Sequence, residues 1–600
     1  MSAARRTTDE GVPAAAPVAG VPDAYAGRIW AKWGAPKLLH AAILAACVAC
    51  FLSIALRQLD LPGLYYDEAL DLTPMLDIMR GAPAPLLRGI GVTIGGHTYP
   101  VMLMDYMGSL NGYVTLPFML VLGPGVTATR LSPILFSAVT IILAYAIARA
   151  WFGRTAGLVT ALLLAVNPSF IWFSRQGITV TSIMTVFSLG SWLLLDRWRR
   201  GIVESEQSRQ IARRVRLVLL AAGVLLGLGL WAKIIFIWWI ALLGVMGLVW
   251  FLTLPRPVVA VARGGRLNLL TRLLPAAPWV ILGFLIGAAP FVYFNLAGLA
   301  QGQPPATIDL LFRSLLQPTQ YGVDNSNLAA NLNKRLQDFA VFLNGSYFWF
   351  LAPVPYGNVY AVPAFLSAAI AGSVLALRRP EWRRWAALLA CIAAYLPISA
   401  FTVSDLWATH FFLLFPLPQM AVAVAAIWLA EGVARHVFRA PLPRAALSAL
   451  LVIALIALPL SRDLWVNAQY HEQLGGMGGS GRFSDAIYKL AGYLEAQGIV
   501  EPVALDWGIE KNVRVLTGDR VRPVELFGFS AEADDTFRQR AQEMLADPSR
   551  RYIVLWDQFA VYNRRLVFTR IAQGMGRDVV ETFIAHERSG LPVYIVLQAQ

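Results

Sequence analysis

Two carboxylates, Asp67 and Glu68, stand side by side in Leu64-Tyr65-Tyr66-Asp67-Glu68, a few residues past the first long apolar segment of a strongly hydrophobic chain. Ionised groups beside hydrocarbon are costly, and those that persist there usually face a cavity, a partner or a substrate. Asp60, Asp67, Glu68, Asp71, Asp77 and Asp105 all fall between residues 57 and 129. If residues 67–80 form a helix, Asp67 and Asp71 share a face at i,i+4, while Glu68 points about a quarter-turn away. A cleft with several carboxylates suits a reaction that takes a proton from a hydroxyl, because a general base within hydrogen-bonding reach contributes ~10²- to 10⁴-fold. The other reading is an interfacial loop whose acids face water, and these residues alone leave both open.

The elements that must hold this loop follow from composition. The 600 residues are 57% hydrophobic and only 14% charged, against roughly 25% charged in soluble domains, and many apolar stretches approach the ~20 residues that cross a bilayer. The net charge of +14 does not signal nucleic acid. Arginine collects in short loops between apolar segments (Arg197, Arg199 and Arg200; Arg213, Arg214 and Arg216; Arg378 and Arg379; Arg383 and Arg384), as the positive-inside rule expects of cytoplasmic loops. Cys47, Cys50 and Cys391 all lie in apolar segments and suggest neither a disulfide framework nor a thiolate metal site.

We expect a polytopic α-helical membrane protein with about 11 transmembrane helices, juxtamembrane helices in its first external loop, and a C-terminal soluble α/β domain. Residues 1–37, rich in Ala, Pro, Gly and charge, read as a disordered cytoplasmic tail. Residues 38–461 form the membrane part, with helices near 38–56, 130–150, 157–174, 178–196, 217–232, 234–254, 277–297, 357–377, 385–402, 411–431 and 445–461. Charge parity then puts 57–129, 298–356 and 403–410 outside. It works only if Tyr113–Leu122, short and closed by Gly123-Pro124-Gly125, does not span. From 462 to 600, β-rich runs such as Tyr552-Ile553-Val554-Leu555 alternate with helix-like stretches around 484–497 and 532–546, and Gly475–Gly479 reads as the linker. Parity places this domain outside the cytoplasm.

The order of four elements in this chain resembles a known superfamily. Tyr66-Asp67-Glu68 follows the first helix, and Arg130-Leu131-Ser132-Pro133 opens the second. Phe152-Gly153-Arg154-Thr155-Ala156-Gly157 closes it, and Asn167-Pro168-Ser169-Phe170 precedes Ser174-Arg175. The combination is similar to the polyprenyl-phosphate-sugar-dependent glycosyltransferases of the GT-C superfamily, among them the protein O-mannosyltransferases and the aminoarabinose transferases of lipid A. The resemblance covers residues 38–460 and is densest over 64–235.

The resemblance implies that an acceptor hydroxyl of a protein, lipid or glycan attacks the anomeric carbon of a sugar carried on an extracytoplasmic polyprenyl phosphate, with inversion. Asp67 is then the base. Glu68 orients the acceptor or the Asp67 helix, or simply faces the helix dipole. Tyr66 and Asp105, the latter before a juxtamembrane helix where relatives carry a second acid, are candidates for substrate contact. The leaving phosphate needs cations near the outer surface. Arg175, at the outer end of the third helix, and Lys233, at a tight external turn in Trp231-Ala232-Lys233-Ile234, are the candidates, with snorkelling to lipid headgroups as the competing reading. His410 stands where relatives often have arginine, which weakens a phosphate role there.

Departures limit what carries over. Leu70 follows the acidic pair where aminoarabinose transferases show a basic residue, and Asp105-Tyr106-Met107-Gly108 replaces their Glu-Lys-Pro-Pro element. The C-terminal region lacks the look of the β-trefoil of eukaryotic protein mannosyltransferases. Its Asp506-Trp507 could shape a carbohydrate surface, but ordinary strand ends are the preferred reading. Residues 298–356, with Asp324-Asn325-Ser326-Asn327 and the aromatic run Tyr347-Phe348-Trp349-Phe350, read as an irregular mobile lid ending at an aromatic belt. No metal-ligand spacing is evident, so no cofactor is expected, although Asp67 and Glu68 together could hold a divalent cation. A transporter, or a non-catalytic partner in envelope-polysaccharide assembly, is the alternative; a transporter should show repeats and mid-membrane charges that this sequence does not.

Overall fold

The computed structural model describes residues 37–204, 213–253, 274–316, 324–402 and 406–600 apart from 529 and 531. The expected N-terminal tail, all but its last residue, lies outside the described residues. Chain order begins with α1 (Lys37–Ala55). The loop after it carries α2 (Tyr66–Leu70), α3 (Thr73–Met79), the hairpins β1 (Gly91–Ile94) with β2 (His97–Pro100) and β3 (Met102–Met104) with β4 (Met107–Gly108), and α4 (Leu110–Leu122). Then come α5 (Val126–Phe152), α6 (Arg154–Val166), α7 (Pro168–Ser174), α8 (Thr179–Glu204), α9 (Arg213–Ala232), α10 (Phe236–Leu252), α11 (Ala277–Gly287), α12 (Ala289–Ala300), α13 (Ala306–Leu316), α14 (Leu328–Asn344), α15 (Ala361–Ala376), α16 (Trp382–Ser399), α17 (Leu417–Val437) and α18 (Pro441–Met477).

Each of the eleven apolar segments is helical. Among the described residues, five helices (α1, α5, α9, α17 and α18) are long and apolar enough to cross a membrane singly, and seven spans result if each of two bent pairs counts as one. The pairs α6/α7 and α11/α12 turn by 61° and 69°. Pro168 and Pro290 sit in the first turn of the second member of each pair, where a missing N–H does no harm but the preceding helix cannot continue. Asn167 caps the restart by accepting from the Phe170 N–H at 3.0 Å. α4 has 13 residues, about 20 Å of helix at 1.5 Å per residue, so it lies short of a crossing as its sequence suggested.

α9 and α11 pack backbone to backbone. A Cβ on Gly227 would stand 2.2 Å from the Phe284 carbonyl oxygen, and one on Gly283 2.1 Å from that of Leu220. With Gly223 and Gly287 these make a small-xxx-small seam on both helices, the device by which apolar helices gain van der Waals contact without a hydrophobic drive.

Three expectations need correction. The segment 298–356 is not irregular: α13 and α14 occupy much of it, and α14 is anchored because buried Arg335 pairs with Asp338 at 2.7 Å and donates to the Leu406 carbonyl at 3.3 Å. Residues 317–323 of that segment lie outside the described residues. The aromatic run is not a plain interfacial belt, since Phe348 and Phe350 are buried and Phe350 stacks on Phe483 at 4.4 Å, sealing a seam with the C-terminal part. And α18 does not stop at 461. Its polar residues beyond that point are matched, with Asp463 accepting from Asn358 at 2.6 Å and His471 bonded to Gln58 and to the Ile54 carbonyl at 3.0 Å each, so the helix continues until Gly478 turns it off with φ +73°.

Beyond it lie α19 (Ala486–Ala496), β5 (Val503–Ala504), α20 (Glu510–Leu516), β6 (Val524–Glu525), α21 (Asp535–Leu545), β7 (Arg551–Leu555), α22 (Arg565–Gly574), β8 (Val579–His586) and β9 (Pro592–Ala599). The sheet order is β6-β5-β7-β9-β8, parallel from β6 to β7 and antiparallel beyond, with Ile553 opposite Val596. Alternation does the layering: Ile553 and Leu555 join α19 in one core, while Tyr552 and Val554 join α21 and α22 in the other. Far from being tethered loosely, this domain grips the loop between α1 and α5. Gly63 N–H donates to the Phe483 carbonyl at 2.8 Å, Arg514 pairs with Asp77 at 2.6 Å, Arg80 pairs with Asp519 at 3.0 Å, and Val515 packs in one cluster with Leu64, Leu72 and Met75.

Candidate active site

Residues 66–80 fold as two short helices, α2 and α3, which turn the acidic loop over the N-terminal end of α5 and the C-terminal end of α9. On its back face, Glu68 is buried and its two oxygens accept from Arg130 Nε at 2.8 Å and Nη2 at 2.9 Å, a bidentate pair. The same Glu68 accepts from the Tyr65 N–H at 3.2 Å. Arg130 donates further to the carbonyls of Leu59, Pro62 and Gly63 at 2.8, 2.9 and 3.2 Å. Arg175 completes this clamp: its Nη2 reaches the Gln58 and Leu61 carbonyls at 2.6 and 3.2 Å, and its guanidinium lies 4.5 Å from the Trp172 ring centroid. Glu68 and Arg175 therefore shape the loop from behind.

The front face is chemically different. Asp67 is exposed to solvent yet enclosed in a recess, and desolvation there raises its carboxyl to about 6 against the opposing pull of Lys233 and Arg482. Asp71, one helical turn on and buried, is raised to about 7, again by desolvation, with Lys233 opposing and Asp67 reinforcing. Asp71 Oδ1 has no hydrogen-bond partner among the described residues. Lys233 sits at a break between α9 and α10 where the backbone leaves the helix, bridges Met107 of β4, and lets the Ile234 N–H donate to the Tyr106 carbonyl at 2.9 Å. Burial lowers the Lys233 amine to about 8 while Asp67 and Asp71 hold it up. Its Nζ lies 3.1 Å from His410 Nε2 and 5.7 Å from the Tyr106 ring centroid. Burial and the Lys233 charge push His410 well below the usual imidazole range. It is therefore neutral, accepting from Lys233 at Nε2 while Nδ1 meets the Trp407 backbone at 3.2 Å.

The structure brings together three residues marked from sequence, Asp67, Lys233 and His410, which the chain separates widely. It takes the others elsewhere. Tyr66 donates to Glu525 at 3.1 Å and packs on Trp507 at 4.5 Å, so it ties the loop to the C-terminal domain. Asp105 lies in the β3–β4 turn, 3.4 Å from Arg88 Nε, and its carbonyl accepts from Thr307 at 2.5 Å. Glu68 is committed to Arg130 while Asp67 is exposed, so the two carboxylates meet different surroundings. Among the described residues, no three His, Cys, Asp or Glu side chains converge as a metal site.

Sequence reasoning left out Arg482 and set Trp507 aside as an ordinary strand end. Arg482 lies in the turn Gly481–Phe483, close enough to Asp67 to favour its charge, with its guanidinium 5.4 Å from the Trp507 ring centroid. Trp507 in turn meets Tyr65 and Tyr66 at 5.9 and 4.5 Å. The preferred reading of Asp506-Trp507 as an ordinary strand end holds for Asp506, whose carboxylate accepts from the Val561 and Tyr562 N–H groups at 3.2 and 3.0 Å, but not for Trp507.

Comparison with known proteins bears on the fold and on residues 100–283. The model of the family described as dolichyl-phosphate-mannose-protein mannosyltransferase matches residues 100–283. The whole fold is similar to ArnT from Cupriavidus metallidurans bound to undecaprenyl phosphate (TM-score 0.54, 14% identity, 93% of this chain and 97% of that one). It is equally similar to the same protein in the apo state (0.54, 13%, 95% and 98%). A lower likeness links it to the archaeal oligosaccharyltransferase AglB from Archaeoglobus fulgidus in complex with an inhibitory peptide and a dolichol-phosphate (0.49, 14%, 86% and 69%). No curated protein matches in sequence. With the apolar helices, these likenesses support a multi-pass membrane protein that shares the fold of ArnT and whose residues 100–283 are similar to the dolichyl-phosphate-mannose-protein mannosyltransferase family.

Proposed function

We propose that this protein transfers a sugar from a polyprenyl-phosphate donor to an acceptor hydroxyl of a protein, lipid or glycan, with inversion and with Asp67 as general base. The observation that carries the reading is the position of Asp67: the exposed carboxylate of a recess that also holds buried Asp71, set against Lys233. A carboxylate held near 6 is ionised at neutral pH and still basic enough to accept a proton. The acceptor proton passes to Asp67 as the acceptor oxygen bonds to the anomeric carbon. The bond from that carbon to the phosphate oxygen breaks, and the polyprenyl phosphate leaves with the electron pair. Lys233, steadied by His410, and Arg482 offer the cationic surroundings that the departing phosphate requires. The undecaprenyl phosphate bound by the structurally similar ArnT supports this donor class.

The base and the leaving-group cations belong to this chain, and Glu68 is already committed to Arg130, so we propose a reaction without a metal. Arginine-rich loops at the far end of the helices support a bacterial plasma-membrane protein with its N-terminus in the cytoplasm and its C-terminal domain outside. The test is transfer by the full chain in vesicles supplied with labelled polyprenyl-phosphate sugars, comparing wild type with Asp67→Asn. Wild-type transfer abolished in a folded, inserted Asp67→Asn protein is expected; unchanged transfer would overturn the assignment.

A further inference from the structure

A second built feature lies at the other end of the bundle. A cavity of about 530 Å³, within the size range of small-ligand pockets, opens between α5, α8, α10 and α16. It is lined by Trp151 of α5, the same helix that carries Arg130 at its outer end, so about 30 Å of helix at 1.5 Å per residue separates it from the acidic loop. Trp151, Trp192, Trp250, Leu243, Met246 and Phe251 make its walls.

Polar groups gather among the same lining residues: Arg199, Arg383, Arg384 and one carboxylate, Asp196. Asp196 is already matched, accepting from Arg199 at 2.6 Å and from Arg200 through its other oxygen. Arg384 donates one Nη1 bond to the Trp151 carbonyl at 2.6 Å. Arg383 lies 5.2 Å from the Trp382 ring centroid, and its buried Nε has no hydrogen-bond partner among the described residues. An apolar, aromatic chamber with surplus guanidinium charge fits an amphiphile whose head is an anion. Basic pockets between membrane helices take lipid phosphates for this reason.

We propose that this cavity binds a phosphate-headgroup lipid, its apolar chain among the tryptophans and its phosphate at Arg383 and Arg384. A diacyl phospholipid and a polyprenyl phosphate share that chemistry. The inference does not depend on the role given to Asp67.

The test is native mass spectrometry of the full chain in detergent, titrated separately with dioleoyl phosphatidylglycerol, dioleoyl phosphatidylcholine and undecaprenyl phosphate. Wild type should retain an anionic lipid in preference to phosphatidylcholine, and the anionic lipid retained more strongly identifies the source. Arg383→Gln should weaken that retention about fivefold, the worth of one surface arginine, without changing phosphatidylcholine. Gly247 lines the cavity and a Cβ there meets no atom within 4 Å, so Gly247→Trp should fill the chamber and remove the site while leaving the arginines in place. Equal retention of phosphatidylglycerol and phosphatidylcholine by wild type, or anionic-lipid retention unchanged in both variants, would overturn the proposal.

Discussion

Glu68 and Asp67 are consecutive residues of one helical turn, and they meet opposite surroundings. Behind the loop, Glu68 is matched oxygen for oxygen by Arg130, whose remaining donors are taken by three carbonyls, while Arg175 grips two more residues of the same segment. In front, two carboxylates share a single amine, an imidazole is forced to stay neutral, and Asp71 keeps an oxygen without a protein partner. Both faces are dry enough to make charge expensive. They differ in whether the carboxylates are satisfied: Glu68 is matched by Arg130, whereas Asp71 keeps an unmatched oxygen. A matched pair fixes geometry and has little left to offer a substrate, whereas the under-matched face keeps its protonation states near neutrality, where proton transfer is useful.

The comparison is most directly broken by exchanging single oxygens. Asp67→Asn should lower turnover by about 10²- to 10⁴-fold with thermal stability and membrane insertion unchanged, as measured by initial rates alongside melting in detergent. On the back face the effect should move from rate to stability. Arg130→Met strands a buried carboxylate and should cost about 3–5 kcal/mol, seen as a fall in melting temperature and in folded yield. Adding Glu68→Gln should restore part of that stability. A Glu68→Gln protein as stable as wild type but unable to turn over would collapse the distinction between the two faces.

A pH profile sharpens the same contrast. The base acts only when ionised, so kcat/KM should fall as pH drops through about 6, a limb whose apparent midpoint Asp67 shares with the coupled Asp71 near 7. The cation is lost as pH rises through about 8, where Lys233 deprotonates, giving a bell with a narrow top. Lys233→Met should remove the alkaline limb and move the acid limb to higher pH, because the amine that favours the Asp67 carboxylate is gone. An acid limb that stays in place would show that Lys233 does not face Asp67 electrostatically.

Much of this was legible in the sequence, and the reasons differ by residue. The apolar segments announce themselves by length, and Lys233 and Arg175 stand out because they break the arginine-inside pattern. Arg130 breaks it too, and that anomaly was the available signal for its tie to Glu68. Gly223, Gly227, Gly283 and Gly287 likewise spell two small-xxx-small helices whose contact could be read from spacing. What could not be read is pairing across long separations. Nothing in Gly481-Arg482-Phe483 or in Trp507 says that they will meet Asp67 and Tyr66, because those contacts depend on how the five-stranded sheet docks. The irregular-loop reading of 298–356 failed for a related reason: its polar residues suggested solvent, but Arg335 finds its partners in Asp338 and the backbone near the start of the 406–414 segment.

The smallest expected effect bears on that docking. Tyr66 carries its hydroxyl to Glu525 of β6, and its ring meets Trp507, so it joins the loop to the domain without entering the recess. Tyr66→Phe keeps the ring contact and removes one hydrogen bond to a carboxylate, a loss of about 1–2 kcal/mol in a partly buried setting. Melting temperature should fall by a few degrees, while the pH profile keeps its limbs at the same positions, since the phenol is not among the groups that set the Asp67 carboxyl. A shift in the acid limb would instead mean that the seam between loop and domain transmits into the recess, and that the front face is tuned by how tightly the C-terminal domain holds it.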